Sequence, residues 1–131
     1  MGELRTNLDR IAACLIAMTM AAPLCAQSTR DPVSLFAICT GRLSAVMEFQ
    51  WLMQDPAADD TQRARDAMVE LLEAVLSKHQ RSSAMALRVT AKLATANLLH
   101  RARFRSLRGD AEWAEKRAAQ LIANCTALMI S

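Results

Sequence analysis

Chemistry in this 131-residue chain has to come from a short supply of side chains: four cysteines, two histidines and an uneven spread of charge. Cys39 and Cys125 stand near opposite ends of the region after residue 26, whereas Cys14 and Cys25 fall within the first 26 residues. A remaining pair in an oxidising compartment reads as a disulfide, with two free buried thiols as the competing reading. Closing a loop of about 87 residues would stabilise the fold by roughly 4–5 kcal/mol in the chain-entropy model. The histidines offer less. Neither His79 nor His100 belongs to a Glu-x-x-His or His-x-x-x-His pair, so a metal site in a helical core has no framework. There is no Cys-x-x-Cys-His haem signature, no glycine-rich phosphate loop and no Ser, His and Asp logic for nucleophilic catalysis. The expectation is a protein without catalytic residues, metal or cofactor. His100, set among Val89, Leu93 and Phe104, is expected as a hydrogen-bonded core residue, and Phe104 is expected to pack inward.

Charge is the next candidate. Residues 27–75 carry a net −4 and residues 76–131 a net +7. Eight basic residues and no acids lie between Lys78 and Arg108, ending in the cluster Arg101, Arg103, Arg105 and Arg108. Two readings compete: a surface for an anionic membrane or envelope component, or an internal complement to an acidic second helix. Nucleic acid is not the expected partner of an exported chain with no tyrosine. Trp51 and Trp113 fall off the main apolar stripes and are candidate interface anchors. Arg42 is expected to reach water past the edge of a stripe, and Glu48 to be solvated.

The elements that must position these groups are helical. Alanine, leucine and methionine abound, tyrosine is absent, and only three glycines and three prolines occur. Residues 1–26 form a polar start, the apolar run Ile11–Leu24 and a small-residue exit at Ala26, the layout of a cleavable signal peptide. Ile11–Ala26 is short for a span of about 20 apolar residues, and bulky Leu24 disfavours lipidation of Cys25.

Residues 27–131 then read as one domain of four amphipathic helices. The first runs from about Asp31 to Met53, capped by Asp31 with Pro32 behind it and stopped before Pro56. The second covers about Asp60 to His79, capped by Asp59 or Asp60. The third, Ala84 to Arg105, has two apolar faces and is expected between two neighbours. The fourth, Ala111 to Met129, follows Gly109 as a stop and Asp110 as a cap, which accounts for the adhesion-like triplet Arg108-Gly109-Asp110. Cys39 and Cys125 fall on inward stripes of the first and last helices. An antiparallel four-helix bundle closed by that disulfide is the expected fold.

Exported, small, all-helical and disulfide-closed, such a chain is similar in general character to periplasmic immunity and inhibitor proteins. That resemblance implies a periplasmic or secreted, non-catalytic module acting on a protein partner. Trp51, Arg101, Arg103, Arg105, Arg108 and Trp113 are the expected contact residues. The alternative is peripheral binding of anionic membrane through residues 78–108.

Overall fold

A computed structural model describes residues 31–130, so the signal-peptide reading of residues 1–26 lies outside the described residues. Four helices occupy the chain: α1 (Pro32–Leu52), α2 (Ala58–Val75), α3 (Arg81–Phe104) and α4 (Arg108–Thr126), with single 3-10 turns at Lys78–Gln80 and Ala127–Met129. No strand occurs among the described residues.

Local chemistry sets the ends of α1. The Asp31 carboxylate accepts from the backbone N–H groups of Val33 and Ser34, and Pro32 opens the helix where a missing N–H costs nothing. At the other end Gln54 adopts φ 56°, its N–H donates to Trp51 O, and Asp55 N–H donates to Gln50 O. This is a Schellman stop with glutamine at the left-handed position that glycine usually holds. Pro56 then bars continuation.

The other boundaries differ from expectation. Asp59 and Asp60 lie within the first turn of α2 and make no side-chain cap. They act there as negative charge near the positive end of the helix. Helix α3 starts at Arg81, three residues before the expected Ala84, and Ser83 donates to Gln80 O. Gly109 and Asp110 sit inside the first turn of α4, not before it.

Helix α1 is the centre of the domain. It packs against both α2 and α3, which scarcely touch each other, while α4 lies along α3. Its buried positions run almost round the helix, from Val33, Ala37 and Ser44 to Cys39, Leu43 and Met47. By length and composition α1 is apolar enough to cross a membrane, yet half of its most apolar window is buried inside the domain. Helix α3 also has two neighbours, α1 and α4, as its two apolar faces predict, but the helix buried almost all round is α1. The physical reason is α1's side toward α3, built of Ala37, Gly41 and Ser44. A Cβ on Gly41 would stand 2.2 Å from Arg88 O, so the two backbones nearly touch there. Thr40 and Ser44 remain buried without penalty because their hydroxyls donate to Phe36 O and Thr40 O within the helix.

The sulfurs of Cys39 and Cys125 form the expected disulfide, with Cα atoms 5.4 Å apart and 86 residues between them in sequence. Both half-cystines are buried in a cluster with Leu43 and Met68, against which Phe36, Ile122 and Met129 pack. The bridge carries the contact between α4 and α1, whose direct packing is otherwise slight. A second cluster of Val33, Ala37, Leu72 and Ala84 joins α1, α2 and α3 at the other end.

Candidate interaction surface

Helix α3 turns Ala84 and Thr95 into the core. Positions on the opposite side of the same helix must then face outward. There stand Met85, Val89, Leu93 and Phe104, exposed by 56, 47, 61 and 55%. His100 is also exposed, and its ring lies 4.8 Å from that of Phe104. The core placement expected for His100 and Phe104 is thus overturned. Among the described residues no helix covers their side of α3, because α1 and α4 occupy the other.

From Ser82 to Ala102 every exposed α3 residue is uncharged apart from His100. Helices α2 and α4 behave differently. Their exposed positions include Asp59, Asp60, Arg63 and Glu70 on α2, and Glu112, Lys116 and Arg117 on α4. A helix face directed at water ordinarily carries such charges. A row of large apolar side chains along five turns is instead the mark of a contact surface.

Half of the basic stretch is neutralised from within. Arg81 lies 3.7 Å from Glu73, Lys92 is 2.6 Å from Glu48, and Asp110 pairs with both Arg101 and Arg105. Four of the eight cations thus have carboxylate partners in the domain. Only Arg81 pairs with α2, so the idea of α2 as the general complement of α3 accounts for one pair. Lys92 reaches α1 and the others reach α4. Glu48, expected free in water, is half-exposed and paired.

The expected contact residues divide accordingly. Arg101 donates to the Asp110 carboxylate from Nε, at 3.4 Å, and from Nη2, while its guanidinium stands 5.1 Å from the centre of the Trp113 ring. The hydrogen bond from Arg101, reinforced by the charges of Arg101 and Arg105, holds the Asp110 carboxyl below the usual carboxylate range despite some desolvation. The same bond raises Arg101. These residues form a clamp across the α3–α4 turn. Trp113 is still half-exposed on its outer side. Arg103 stands 6.0 Å from the Phe104 ring, at the end of the apolar row. Arg108 opens α4 and is exposed. Trp51 is half-exposed at the end of α1, beside exposed Leu52. Arg42 is partly buried, with Nη1 3.7 Å from the Cys125 sulfur.

An apolar trough of about 490 Å³ lies between α3 and α4, with Leu99, Ala102, Ala118 and Ile122 on its walls and Glu115 as its one titratable residue. Among the described residues no group of three His, Cys, Asp or Glu side chains could hold a metal ion. The outward row of α3 was visible in sequence as a face; its lack of a covering helix was not. The chain matches no family model, no curated protein and no solved structure.

Proposed function

We propose that the domain is an exported, non-catalytic contact module whose outward α3 face, Met85 to Phe104, docks a partner protein. The observation that carries this reading is the apolar row on a helix with no neighbour on that side among the described residues. The disulfide is consistent with export, since such bonds persist in oxidising compartments. Charge indicates the kind of partner. The unpaired cations bordering the row, Arg88 and Arg103, suit a partner helix with apolar residues flanked by carboxylates. A second α3 from another copy would bring only basic flanks against basic flanks.

Anionic membrane is the weaker occupant. Each Lys or Arg near an anionic surface contributes about 1 kcal/mol, and internal ion pairs occupy half of this stretch. A photo-crosslinking residue at position 93, compared with one at Lys116 on the charged face of α4, tests the proposal in the native host. The expected result is one protein adduct from position 93, none from position 116, and loss of the adduct when Val89→Glu is added. The captured partner should carry carboxylates beside its crosslinked segment. Adducts to lipid alone, adducts to the same chain alone, equal yields from both positions or no adduct would each overturn the reading.

A further inference from the structure

Beside the outward row, where α1, α2 and α3 meet, lies a cavity of about 370 Å³. Arg65 from α2 and Arg88 and Lys92 from α3 line it, with Glu48 as its single carboxylate. Lys92 and Glu48 neutralise each other at 2.6 Å. The two guanidiniums are less fully partnered. Arg65 donates from Nη1 to Asp66 at 2.6 Å, but its Nε is buried and donates to nothing among the described residues. Arg88 has no ion pair or hydrogen bond among the described residues. Burial first, then the positive charge of Arg65, depresses Arg88 from the usual guanidinium range, and Glu73, already shared with Arg81, opposes this only in part.

In the same domain Arg63, Arg81, Lys92, Arg101 and Arg105 have found carboxylates. Two partly buried guanidiniums that repel each other, one with an unpartnered Nε and the other without a direct carboxylate partner among the described residues, are a costly arrangement, relieved by an oxyanion placed between them. Guanidinium forks match carboxylate and phosphate oxygens in two-point contacts. Apart from Ser44, the rest of the lining is apolar: buried Met47, with exposed Met85 and Val89. Volume separates the possible ligands further, because a space of this size falls in the range of small-molecule sites and exceeds what a bare ion fills.

We propose that this cavity binds a small amphipathic oxyanion, its carboxylate or phosphate head between Arg65 and Arg88 and its short apolar tail against Met47, Met85 and Val89. The site is separate from the docking face proposed above, although Met85, Arg88 and Val89 border both. Loss of either reading leaves the other standing, because the docking test uses a partner protein and this one uses purified domain and small molecules.

Calorimetric titration with hexyl phosphate, hexanoate, inorganic phosphate and hexylamine at constant ionic strength tests the site. Hexyl phosphate and hexanoate are expected to bind with one site per chain. Inorganic phosphate should bind at least about tenfold more weakly, and hexylamine not at all. Arg88→Gln should weaken hexyl phosphate by about tenfold or more. Without ligand the same variant should melt no lower than the parent, since it removes a like-charge contact, an outcome that a purely structural arginine would not produce. Arg65→Gln makes the same test from the opposite wall should the first variant fold poorly. Absence of saturable binding, equal binding of inorganic and hexyl phosphate, an adventitious ion only, or unchanged affinity in folded Arg88→Gln and Arg65→Gln would overturn the proposal.

Discussion

Replacing Gly41 by alanine inserts one methyl group where the backbone of α3 already stands. The added Cβ would lie 2.2 Å from Arg88 O, 3.0 Å from Arg88 C and 3.1 Å from Lys92 N. Ordinary contact begins at 3.4 Å, so the crossing must open by about 1.2 Å along the line to the carbonyl oxygen. All three obstacles are backbone atoms, which cannot swing aside as a side-chain tip would. Overpacking of this kind costs about 1–3 kcal/mol, occasionally more. Alanine recovers up to ~1 kcal/mol through its better helix propensity. The upper part of the overpacking range applies here, because separating α1 from α3 also loosens the seam of Ala37, Ser44 and Thr95. A net loss of about 2 kcal/mol is expected, equivalent to a Tm lower by roughly 8–16 °C for a domain of this size.

Gly109→Ala supplies the control. Nothing lies within 4 Å of its added Cβ, and its φ is not positive. It should raise stability by about 0.5 kcal/mol through helix propensity alone. Both variants are measured by thermal and urea unfolding followed by circular dichroism, with the disulfide intact. Unchanged or raised stability in Gly41→Ala would refute the close crossing, as would shifts of the same sign at both glycines.

Other perturbations probe separate links. Removing the bridge by Cys39→Ala with Cys125→Ala should lower unfolding free energy by roughly 4 kcal/mol, read from urea midpoints, because the closed loop no longer restrains the unfolded chain. Asp110 has a depressed folded pKa, so its contribution is present above the ordinary carboxylate range and disappears as pH falls through the lower folded value. The Tm difference between the parent and Asp110→Asn should therefore be full near neutrality and vanish under acid conditions; a pH-independent difference would contradict the clamp. Gln54→Gly should stabilise by about 0.5–1 kcal/mol, since it relieves the left-handed backbone at the end of α1. A matched thermal melt checks it.

Much of the architecture could be read from residue types. Asp31 and Pro32 marked the start of α1 correctly because capping is a local interaction within one turn. Cys39 and Cys125 fell on inward stripes, and period plus parity were sufficient to pair them. Cap assignments failed where a competing local partner existed. Asp110 was free to serve as a cap or as an acceptor for Arg101, and the guanidinium across the turn decided it.

The docking face and the oxyanion cavity were less legible. Val89, Leu93, His100 and Phe104 were recognisable as one apolar face of α3, but periodicity says only that a face is apolar. It cannot say what covers it. Arg65 and Arg88 are 23 positions apart on different helices, and no spacing rule brings them together.

Composition and short-range pattern determined the helices, their approximate ends and the sulfur pairing, because each depends on neighbours within a turn or on a cysteine count. Tertiary packing alone decided which helix became the centre. Small side chains at Gly41 and Ser44 let α3 approach α1 so closely that α1 took the interior and α3 was left with an uncovered outer side. Which helix is buried depends on how near two backbones can come, a distance measured between elements far apart in the chain.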